Sequence, residues 1–508
     1  MPEDTNPQIA SLLEIDRSGK KDLYIQIARS LRENIQSGRI PRGTRLPSSR
    51  ALAESLNVSR NTTINAYNQL REEDYLESKV GSGTYVSDEL PEKHTRPRPP
   101  EAIQTLELVD TETRDLSISP SAERISEESY SLLEDPSPTF PFRPGIPALE
   151  AFPNDIWAKL ASRRWRCVPG RELVYGDPAG YPALREAIAE YLRTARGVRC
   201  EASHILIISG IQQALTLTAR VLLESGENVW VEDPGYPRMK GAFSAAGAEV
   251  HPVPIDEEGL NLSAGPYNQD DSRQSSSPKL VGITPSHQYP LGVTMGLSRR
   301  LELLRWATDT GTWILEDDYD SEYRFSSKPI AALQGLDNAG RVLYAGTFSK
   351  VLFPAIRIGY LVVPPDLVDA FVQMRSLSDR CSSRVNQMVL TDFINEGYFK
   401  EHIRRMRTLY ASRQSALLDA IDEHLSDLIE IRDEDAGLHL VGHLPEAVDD
   451  QTVSSHLREH DIVAPPLSFY SERPDDHNAL LLGYSAVSEE EIEKSIHRMA
   501  DALTAFRE

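Results

Sequence analysis

From about residue 141 onward, the sequence alternates short runs rich in β-branched residues with longer stretches of helical periodicity. Six runs have the length and composition of β-strands: Ile205–Ser209, Val229–Asp233, Leu280–Thr284, Trp313–Asp317, Val342–Gly346 and Ile358–Val363. This alternation predicts an α/β domain with a mostly parallel sheet. From about residue 370 to residue 508, long helical stretches and an α+β tail predict a small C-terminal subdomain.

The first part of the chain has a different pattern, typical of three helices followed by a hairpin. Leu23, Ile27, Leu31 and Ile35 recur at a spacing of four residues, which predicts the first helix. Ser48 would cap a second, short helix, and about four residues join it to a third, which is the spacing of a helix-turn-helix. Glycines between two β-prone runs then predict a hairpin wing.

Residues 88 to about 140 contain seven prolines, many Ser and Glu, and only two aromatic residues, Tyr130 and Phe140. Such a composition cannot bury enough apolar surface to order itself. We therefore expect a flexible linker over residues 88–140, between a domain at residues 20–87 and a larger one at residues 141–508.

The net charge of −23 argues against nucleic-acid binding until its distribution is considered. Residues 20–87 hold 11 Lys and Arg against 7 Asp and Glu, a local charge of +4 that leaves −27 for the rest of the chain. A small basic module on an acidic body can bind DNA locally, while the charge of the body discourages non-specific binding.

Cysteine usage and hydropathy favour a cytoplasmic protein. The three cysteines are widely separated and form no CxxC pair, and the N-terminus has no basic region of a signal peptide. No apolar run is long enough to cross a bilayer.

His439 and His443 have the spacing of a helical metal pair, but GLHLVGHL alternates like a strand, where residues four apart are separated by roughly 13 Å. We therefore expect no metal site.

Short hydrogen-bonding side chains cluster in the first turn of the predicted third helix. Ser59 would cap this helix. The next four side chains would face the DNA groove and phosphates: Arg60, Asn61, Thr62 and Thr63. Arg suits bidentate contacts with guanine, and Asn suits contacts with adenine. The alternative is a small solvated three-helix unit that mediates protein contacts.

Two further groups of residues flank this helix. Arg45 and Arg50 are placed for phosphate contacts, and the hairpin wing, with Lys79 and Gly81, would reach an adjacent groove. Residues 24–86, with an LPSSRALA core and a closing GSGTYV wing, resemble the winged-helix domain of the GntR superfamily. The resemblance implies operator recognition, usually by a dimer. The positions that match the DNA contacts of the family are Arg50, Arg60, Asn61 and Thr62.

Lys350 follows a strand candidate and is flanked by Phe348, Val351, Leu352 and Phe353. A lone lysine is usually a solvated surface group. Burial among these side chains would instead lower the pKa of its amine, as Schiff-base formation requires. The hydroxyl and guanidinium groups nearby suit a phosphate: Thr347, Ser349 and Arg357.

Other polar and aromatic groups follow strands in the same half of the chain. Asp317 ends a strand candidate, where its carboxylate could hold a pyridine nitrogen, although Asp318 competes for that role. Tyr319 could donate to a phenolic oxygen, and Tyr236 could stack on a ring. The turn Gly210-Ile211-Gln212 offers backbone N–H groups to a phosphate. Each feature alone has a structural explanation, but together they predict a site for pyridoxal phosphate (PLP).

This half of the chain resembles fold-type I aminotransferases, and more closely the aminotransferase-like half of MocR-type regulators, the GntR subfamily that includes the GABA-responsive regulators. The shared segments include FRPGIPALEAFP, VYGDPAGYPALREAIAEYL, SGIQQAL, EDPGYP, TPSHQYPLG, EDDYDSEYR and GTFSKVLFPAIRIGY. By that resemblance Lys350 would form the Schiff base with PLP. The other implied PLP contacts are Asp317, Tyr319, Tyr236, Thr347, Arg357 and the Gly210–Gln212 turn. Arg238 matches an Arg that helps to hold the effector carboxylate in GABA-responsive members.

One position departs from the aminotransferase pattern. Fold-type I aminotransferases usually place an Arg for the substrate α-carboxylate shortly before a Gly-aromatic pair, and this sequence has Leu481 before Gly483-Tyr484. An apolar side chain cannot bind a carboxylate. This favours an effector that is held differently, or PLP itself as the effector, over ordinary transamination.

The sequence thus predicts a PLP-dependent transcription regulator that binds operator DNA, forms a homodimer and senses an amine or amino-acid effector or PLP itself. One alternative is a working aminotransferase that its DNA-binding module only localises. Another is a DNA-binding protein whose enzyme-like body is a dimerisation scaffold without cofactor.

Overall fold

The computed structural model describes residues 8–13, 15–16, 22–79, 83–90, 140–265, 277–325, 331–474 and 477–506. The chain divides into two compact units, Met1–Leu116 and Ser117–Glu508. Gly81 and residues 91–139 of the predicted linker lie outside the described residues.

The N-terminal unit consists of short helices and one β-hairpin. Its elements are α1 (Gln8–Ser11), α2 (Leu23–Gln36), α3 (Ser49–Leu56), α4 (Arg60–Glu72), β1 (Leu76–Lys79) and β2 (Gly83–Val86). The two strands pair antiparallel, and the helices share a core that includes Ile27, Leu31, Leu52 and Leu70. The three predicted helices and the hairpin are confirmed.

Two side-chain caps define the start of α3 and of α4. Ser48 Oγ accepts a hydrogen bond from the backbone N–H of Ala51 at 3.2 Å, and Ser59 Oγ accepts one from the N–H of Thr62 at 3.1 Å. Asn57 caps the C-terminus of α3, and its φ of 51° lies in the left-handed region that helix C-termini favour. These local signals set the turn between the two helices.

The C-terminal unit is built on an eight-stranded sheet in the order β3-β10-β9-β8-β7-β4-β5-β6. Its strands are β3 (Ile205–Ile208), β4 (Asn228–Asp233), β5 (Glu249–Asp256), β6 (Gly259–Leu260), β7 (Leu280–Ile283), β8 (Trp313–Asp318), β9 (Val342–Thr347) and β10 (Gly359–Val362). Neighbours from β9 through β5 are parallel, whereas β10 and β6 run antiparallel to theirs. The predicted, mostly parallel sheet is confirmed, and each of the six predicted runs corresponds to a strand.

The sequence pattern missed β5 and β6 at the edge of the sheet. β5 contains Pro252 and Pro254, and Val253 is its one buried residue. Because proline cannot donate to the sheet and no continuous apolar run is present, the strand signal here is weak.

Alternate side chains of the strands enter two separate cores. Ile205 and Ile207 pack on one face of the sheet, whereas Leu206 and Ile208 pack on the other. Helices cover both faces, which explains why the strands are apolar on both sides. None of the described helices is long and apolar enough to cross a membrane.

The helices of this unit vary from four to 27 residues in length. They are α5 (Asn154–Cys167), α6 (Pro182–Ala195), α7 (Ile211–Leu222), α8 (Pro237–Ala245), α9 (Leu297–Thr310), α10 (Leu333–Leu336), α11 (Val368–Ser378), α12 (Arg384–Asn395), α13 (Tyr398–His424), α14 (Asp450–Glu459) and α15 (Glu489–Ala502). Short 3-10 helices span Leu149–Ala151, Gly170–Glu172, Ala202–His204, Leu262–Ala264, Pro354–Ile356, Pro365–Leu367, Leu467–Tyr470 and Leu503–Phe506.

A second, antiparallel sheet completes the unit, with β11 (Glu430–Ile431), β12 (His439–His443) and β13 (Ala479–Gly483). His439 and His443 are the end residues of β12, so the predicted strand is confirmed. Phe142 forms an antiparallel bridge with Gly483. The segment that begins the described part of this unit is therefore joined to the small sheet.

Candidate cofactor site and DNA-binding surface

A cavity of about 520 Å³ lies in the C-terminal unit, beside the carboxyl ends of its central strands. In parallel α/β sheets this is the edge at which ligands bind. All residues predicted to contact cofactor or effector line it: Gly210, Ile211, Gln212, Tyr236, Arg238, Asp317, Tyr319, Thr347, Ser349, Lys350 and Arg357. The fold thus brings together residues from five separate stretches of the sequence.

The Lys350 amine lies inside this cavity. Phe348, Val351 and Leu352 beside it are each about 1% exposed, and Lys350 Nζ donates a hydrogen bond to the carbonyl oxygen of Gly145 at 2.7 Å. Burial lowers the pKa of the Lys350 amine, an effect that the nearby carboxyls only partly oppose. The amine therefore loses its proton more readily than a surface lysine does, which makes it a better nucleophile.

Asp317 and Asp318 have separate environments, although they adjoin in sequence. Asp318 forms a buried ion pair with Arg196, with Oδ2 and Nη2 2.8 Å apart, and accepts a hydrogen bond from the hydroxyl of Tyr344. Asp317 faces the cavity, and its buried Oδ1 has no hydrogen-bond partner among the described residues. Burial and the Asp318 charge raise the pKa of Asp317. Of the two carboxyls, Asp317 is the one that can accept a bond from a ligand.

Another part of the cavity wall is suited to an anion. α7 begins directly after Gly210, whose φ of 126° favours glycine, and its first N–H groups and dipole favour a phosphate. The Arg357 guanidinium lies close by: a Cβ at Gly210 would be 3.3 Å from Arg357 Nη1. The buried Ser349 Oγ and Gln212 Oε1 have no hydrogen-bond partner among the described residues. These groups form a polar cradle at the helix start.

Aromatic rings form a further part of the wall. The Tyr289 ring makes edge contacts with Tyr236, Tyr319 and Tyr470, at centroid distances of 5.9, 5.7 and 5.5 Å. The hydroxyl of Tyr319 is 2.9 Å from Nδ1 of His287. Tyr289 and Tyr470 were not predicted as site residues, although Tyr289 lies within the shared segment TPSHQYPLG.

Arg143, from the segment that precedes α5, also lines the cavity and was not predicted. Leu481 does not line it. Leu481 is fully buried in β13, in a hydrophobic cluster with Tyr470, against which Tyr289 packs. At the position predicted to correspond to the aminotransferase Arg, the chain thus has an apolar side chain that packs against aromatic residues of the wall.

Most of the residues predicted to contact DNA in the N-terminal unit are exposed to solvent. The exposed ones are Arg45, Arg50, Ser59, Arg60, Asn61 and Lys79, while Thr62 is half-buried. Arg50 and Lys79 are held by surface ion pairs with Glu54 and Glu77, at 3.3 and 3.0 Å. Gly81 lies outside the described residues.

The prediction that Thr63 faces DNA is wrong. Thr63 is fully buried, on the same side of α4 as Ala66, Tyr67 and Leu70. Helical periodicity places residues three and four positions apart on one face, so Thr63 belongs to the core although it adjoins the polar cluster.

The fold and the cavity define a winged helix-turn-helix domain joined to a fold-type I aminotransferase domain. The family described as "Bacterial regulatory proteins, gntR family" matches residues 23–86, and "Aminotransferase class I and II" matches residues 157–499. The chain belongs to the MocR-type family of GntR regulators, in which these two domains are fused.

Similarity to curated proteins extends over nearly the whole chain. The "Probable rhizopine catabolism regulatory protein MocR" of Rhizobium meliloti is 38% identical over 502 residues, covering 97% of this chain and 96% of the relative. The "HTH-type transcriptional regulator TauR" of Rhodobacter capsulatus is 32% identical and covers 96% and 97%.

Among solved structures, the α-aminoadipate aminotransferase LysN from Thermus thermophilus has a TM-score of 0.69. It is 28% identical and covers 76% of this chain and 97% of its own. That structure is complexed with N-(5'-phosphopyridoxyl)-L-leucine. Aminotransferases of class I and II are a PLP-dependent family, so the family to which the larger domain belongs uses this cofactor.

Proposed function

We propose that this protein binds operator DNA through its winged helix and senses an amine or amino-acid effector, or PLP itself, through the cavity around Lys350. The observation that carries the proposal is the pairing of a desolvated lysine with an unpartnered, buried Asp317 oxygen across one cavity. Buried polar atoms are rarely left without a partner. An unsatisfied Asp317 Oδ1 is therefore suited to a donor that a ligand supplies.

The residues present fit PLP. Asp317 would hold the proton of the pyridine nitrogen, Tyr319 would donate to the phenolic oxygen, and Tyr236 would stack on the ring. The phosphate would bind the start of α7 from Gly210 to Gln212, with Thr347, Ser349 and Arg357. PLP, when bound, supplies an aldehyde that condenses with primary amines and a ring that withdraws electrons.

Lys350 would link effector binding to the backbone, because its amine donates a hydrogen bond to the Gly145 carbonyl. Lys350 would hold PLP, and an effector amine bound beside it in the cavity would displace Lys350 Nζ. That change alters the hydrogen bond to the Gly145 carbonyl, in the segment that follows the proposed linker. The effector shifts the conformational equilibrium by its difference in affinity for the two states.

Exposed apolar side chains support a homodimer. In the described part of the chain, Trp165, Leu173, Val174, Tyr175 and Leu377 are between 58% and 84% exposed. Leu173, Val174 and Tyr175 are consecutive, and contiguous exposed apolar residues are typical of interaction surfaces. We propose that a second copy of the chain covers this surface. We also propose a cytoplasmic location and domain limits of 20–87, 88–140 and 141–508.

Absorbance spectroscopy tests the cofactor half of the proposal. Purified protein supplied with PLP should acquire a visible absorbance band that is lost in Lys350→Ala. A wild-type protein without this band would refute PLP binding. A second candidate function, transamination, is favoured by the complete set of Lys350, Asp317 and Tyr319. Steady conversion of amino acid and keto acid would establish that alternative.

A further inference from the structure

Among the described residues, four basic side chains line the cavity, two more than the proposed PLP contacts use. Its basic side chains are Arg143, Arg238, Lys350 and Arg357, whereas Asp317 is the one carboxyl among the described residues that line it. His439 also faces the cavity, but burial lowers its pKa to about 4, so it is neutral at pH 7. A bound phosphate group brings about −2. Arg357 is the basic side chain assigned to this phosphate, whereas Arg143 and Arg238 line the cavity without a role in the proposed PLP contacts.

The backbone places Arg143 in the cavity through contacts with β13. Gly483 N–H donates to the carbonyl oxygen of Phe142 at 2.7 Å. A Cβ at Gly483 would clash with the carbonyl oxygen of Arg143, so this approach requires glycine. Phe142 itself packs in the core of the small subdomain. Position 143 is therefore held by backbone contacts with β13 and by the packing of Phe142, and not by the Arg143 side chain alone.

Leu481 lies two residues before Gly483 in the same strand. Leu480 and Leu482 share a core with Phe142, whereas Leu481 belongs to the cluster that contains Tyr470 of the cavity wall. Arg143 thus lies next to β13, the strand in which the Leu481 side chain offers no hydrogen-bond donor.

We propose that Arg143 binds the carboxylate of the effector, and that the effector is therefore an amino acid and not a simple amine. The inference rests on the proposed function, because the amine end of such an effector needs PLP at Lys350. A guanidinium binds a carboxylate through two parallel hydrogen bonds, and a largely buried site strengthens both. Arg143, from a neighbouring segment, would supply the carboxylate-binding guanidinium that the chain lacks at Leu481.

The charges around Lys350 provide a direct readout. Burial lowers the pKa of the Lys350 amine most; of the charged groups, Asp320 and Asp317 raise this pKa and Arg143 lowers it. A carboxylate bound at Arg143 would oppose the effect of Arg143. The absorbance of the PLP-loaded protein changes when the nitrogen at Lys350 gains or loses its proton, so the pH midpoint of that change reports the nearby charge.

The experiment measures this midpoint for PLP-loaded protein with and without acetate and glutarate. In the wild type, carboxylates should raise the midpoint by about one pH unit. In Arg143→Gln the midpoint should already be raised, and carboxylates should not move it. Arg143→Lys, which keeps the charge, should retain the low midpoint. Arg220→Gln, which changes an exposed arginine in the last turn of α7, should behave as the wild type.

Several outcomes would overturn the inference. A wild-type midpoint that does not respond to carboxylates would do so, as would an equal response in Arg143→Gln. A response lost in Arg238→Gln but kept in Arg143→Gln would assign the carboxylate to Arg238 alone. Failure of the wild type to acquire PLP absorbance appears before any carboxylate is added, and it refutes the proposed function instead.

Discussion

Lys350 Nζ and the carbonyl oxygen of Gly145 are 2.7 Å apart, and a Cβ at Gly145 would lie 2.5 Å from that nitrogen. The φ of +78° at Gly145 favours glycine, and a Cβ added there would have to push the end of the Lys350 side chain away. We expect Gly145→Ala to displace Lys350 and to weaken PLP binding at least about 10-fold. Titration of PLP by absorbance measures this effect.

Gly226→Ala is the matched control for this substitution. Gly226 has a similar φ of +84°, but a Cβ there would meet open space. Both variants should lose about 1 kcal/mol of stability from the strained backbone, measured by urea unfolding. Only Gly145→Ala should lose cofactor. An equal loss of PLP in the two variants would attribute the effect to general destabilisation.

The pH dependence of stability tests the burial of Lys350. The pKa of its amine is lowered in the folded protein, so the unfolded chain binds more protons in the interval between this pKa and about 10.4. The charged amine therefore destabilises the fold at low pH, and this penalty disappears as pH rises through that interval. The free energy of unfolding of Lys350→Met minus that of wild-type apoprotein should decrease from pH 6 to pH 9.5.

The measurement is urea unfolding at several pH values. Lys159→Met, an exposed lysine of α5, provides the control. A pH-independent difference for Lys350→Met would show that the amine is hydrated in the folded protein.

The sequence predicted much of the C-terminal unit because the signals there are local. Lys350 and Asp317 follow apolar strands, and parallel strands bring their carboxyl ends to one edge of a sheet. Arg143 could not be found in this way, since it reaches the cavity only through the bridge between Phe142 and Gly483, which are distant in sequence. The prediction for Thr63 was wrong because its helical spacing from Ala66, Tyr67 and Leu70 places it in the core, although its sequence neighbours are polar.

Asp317 and Asp318 should respond oppositely to replacement by asparagine. Asp318→Asn breaks the buried ion pair with Arg196 and should destabilise the protein by about 3–5 kcal/mol. Asp317→Asn removes a carboxyl whose Oδ1 has no partner among the described residues and should change stability by less than about 1 kcal/mol. It should weaken PLP binding about 10- to 100-fold, because a charge-assisted hydrogen bond to the ring nitrogen is lost. Thermal melting and PLP titration distinguish the two; the reverse pattern would assign the ring nitrogen to Asp318.

Arg60 and Thr63 allow a similar comparison in the N-terminal unit. Arg60→Ala should reduce affinity for an operator selected from random DNA about 10-fold or more, and a lost phosphate contact should also lower the salt dependence. Thr63→Val replaces a buried hydroxyl that has no hydrogen-bond partner among the described residues. It should leave DNA affinity unchanged and stabilise the domain by up to about 1 kcal/mol. Fluorescence anisotropy at several salt concentrations measures the binding. A loss of DNA affinity in Thr63→Val would show that Thr63 contributes to DNA binding.

The exposed apolar surface around Val174 predicts where two copies meet. Val174 and Tyr175 are 65% and 79% exposed, and burying a charged group in such an interface is strongly unfavourable. Val174→Asp should therefore convert the proposed dimer largely to monomer, as measured by sedimentation equilibrium. Leu297→Asp is the control, because Leu297 is 60% exposed at the start of α9 and lies outside the proposed interface. If Leu297→Asp dissociates the protein and Val174→Asp does not, the dimer interface includes the start of α9 instead.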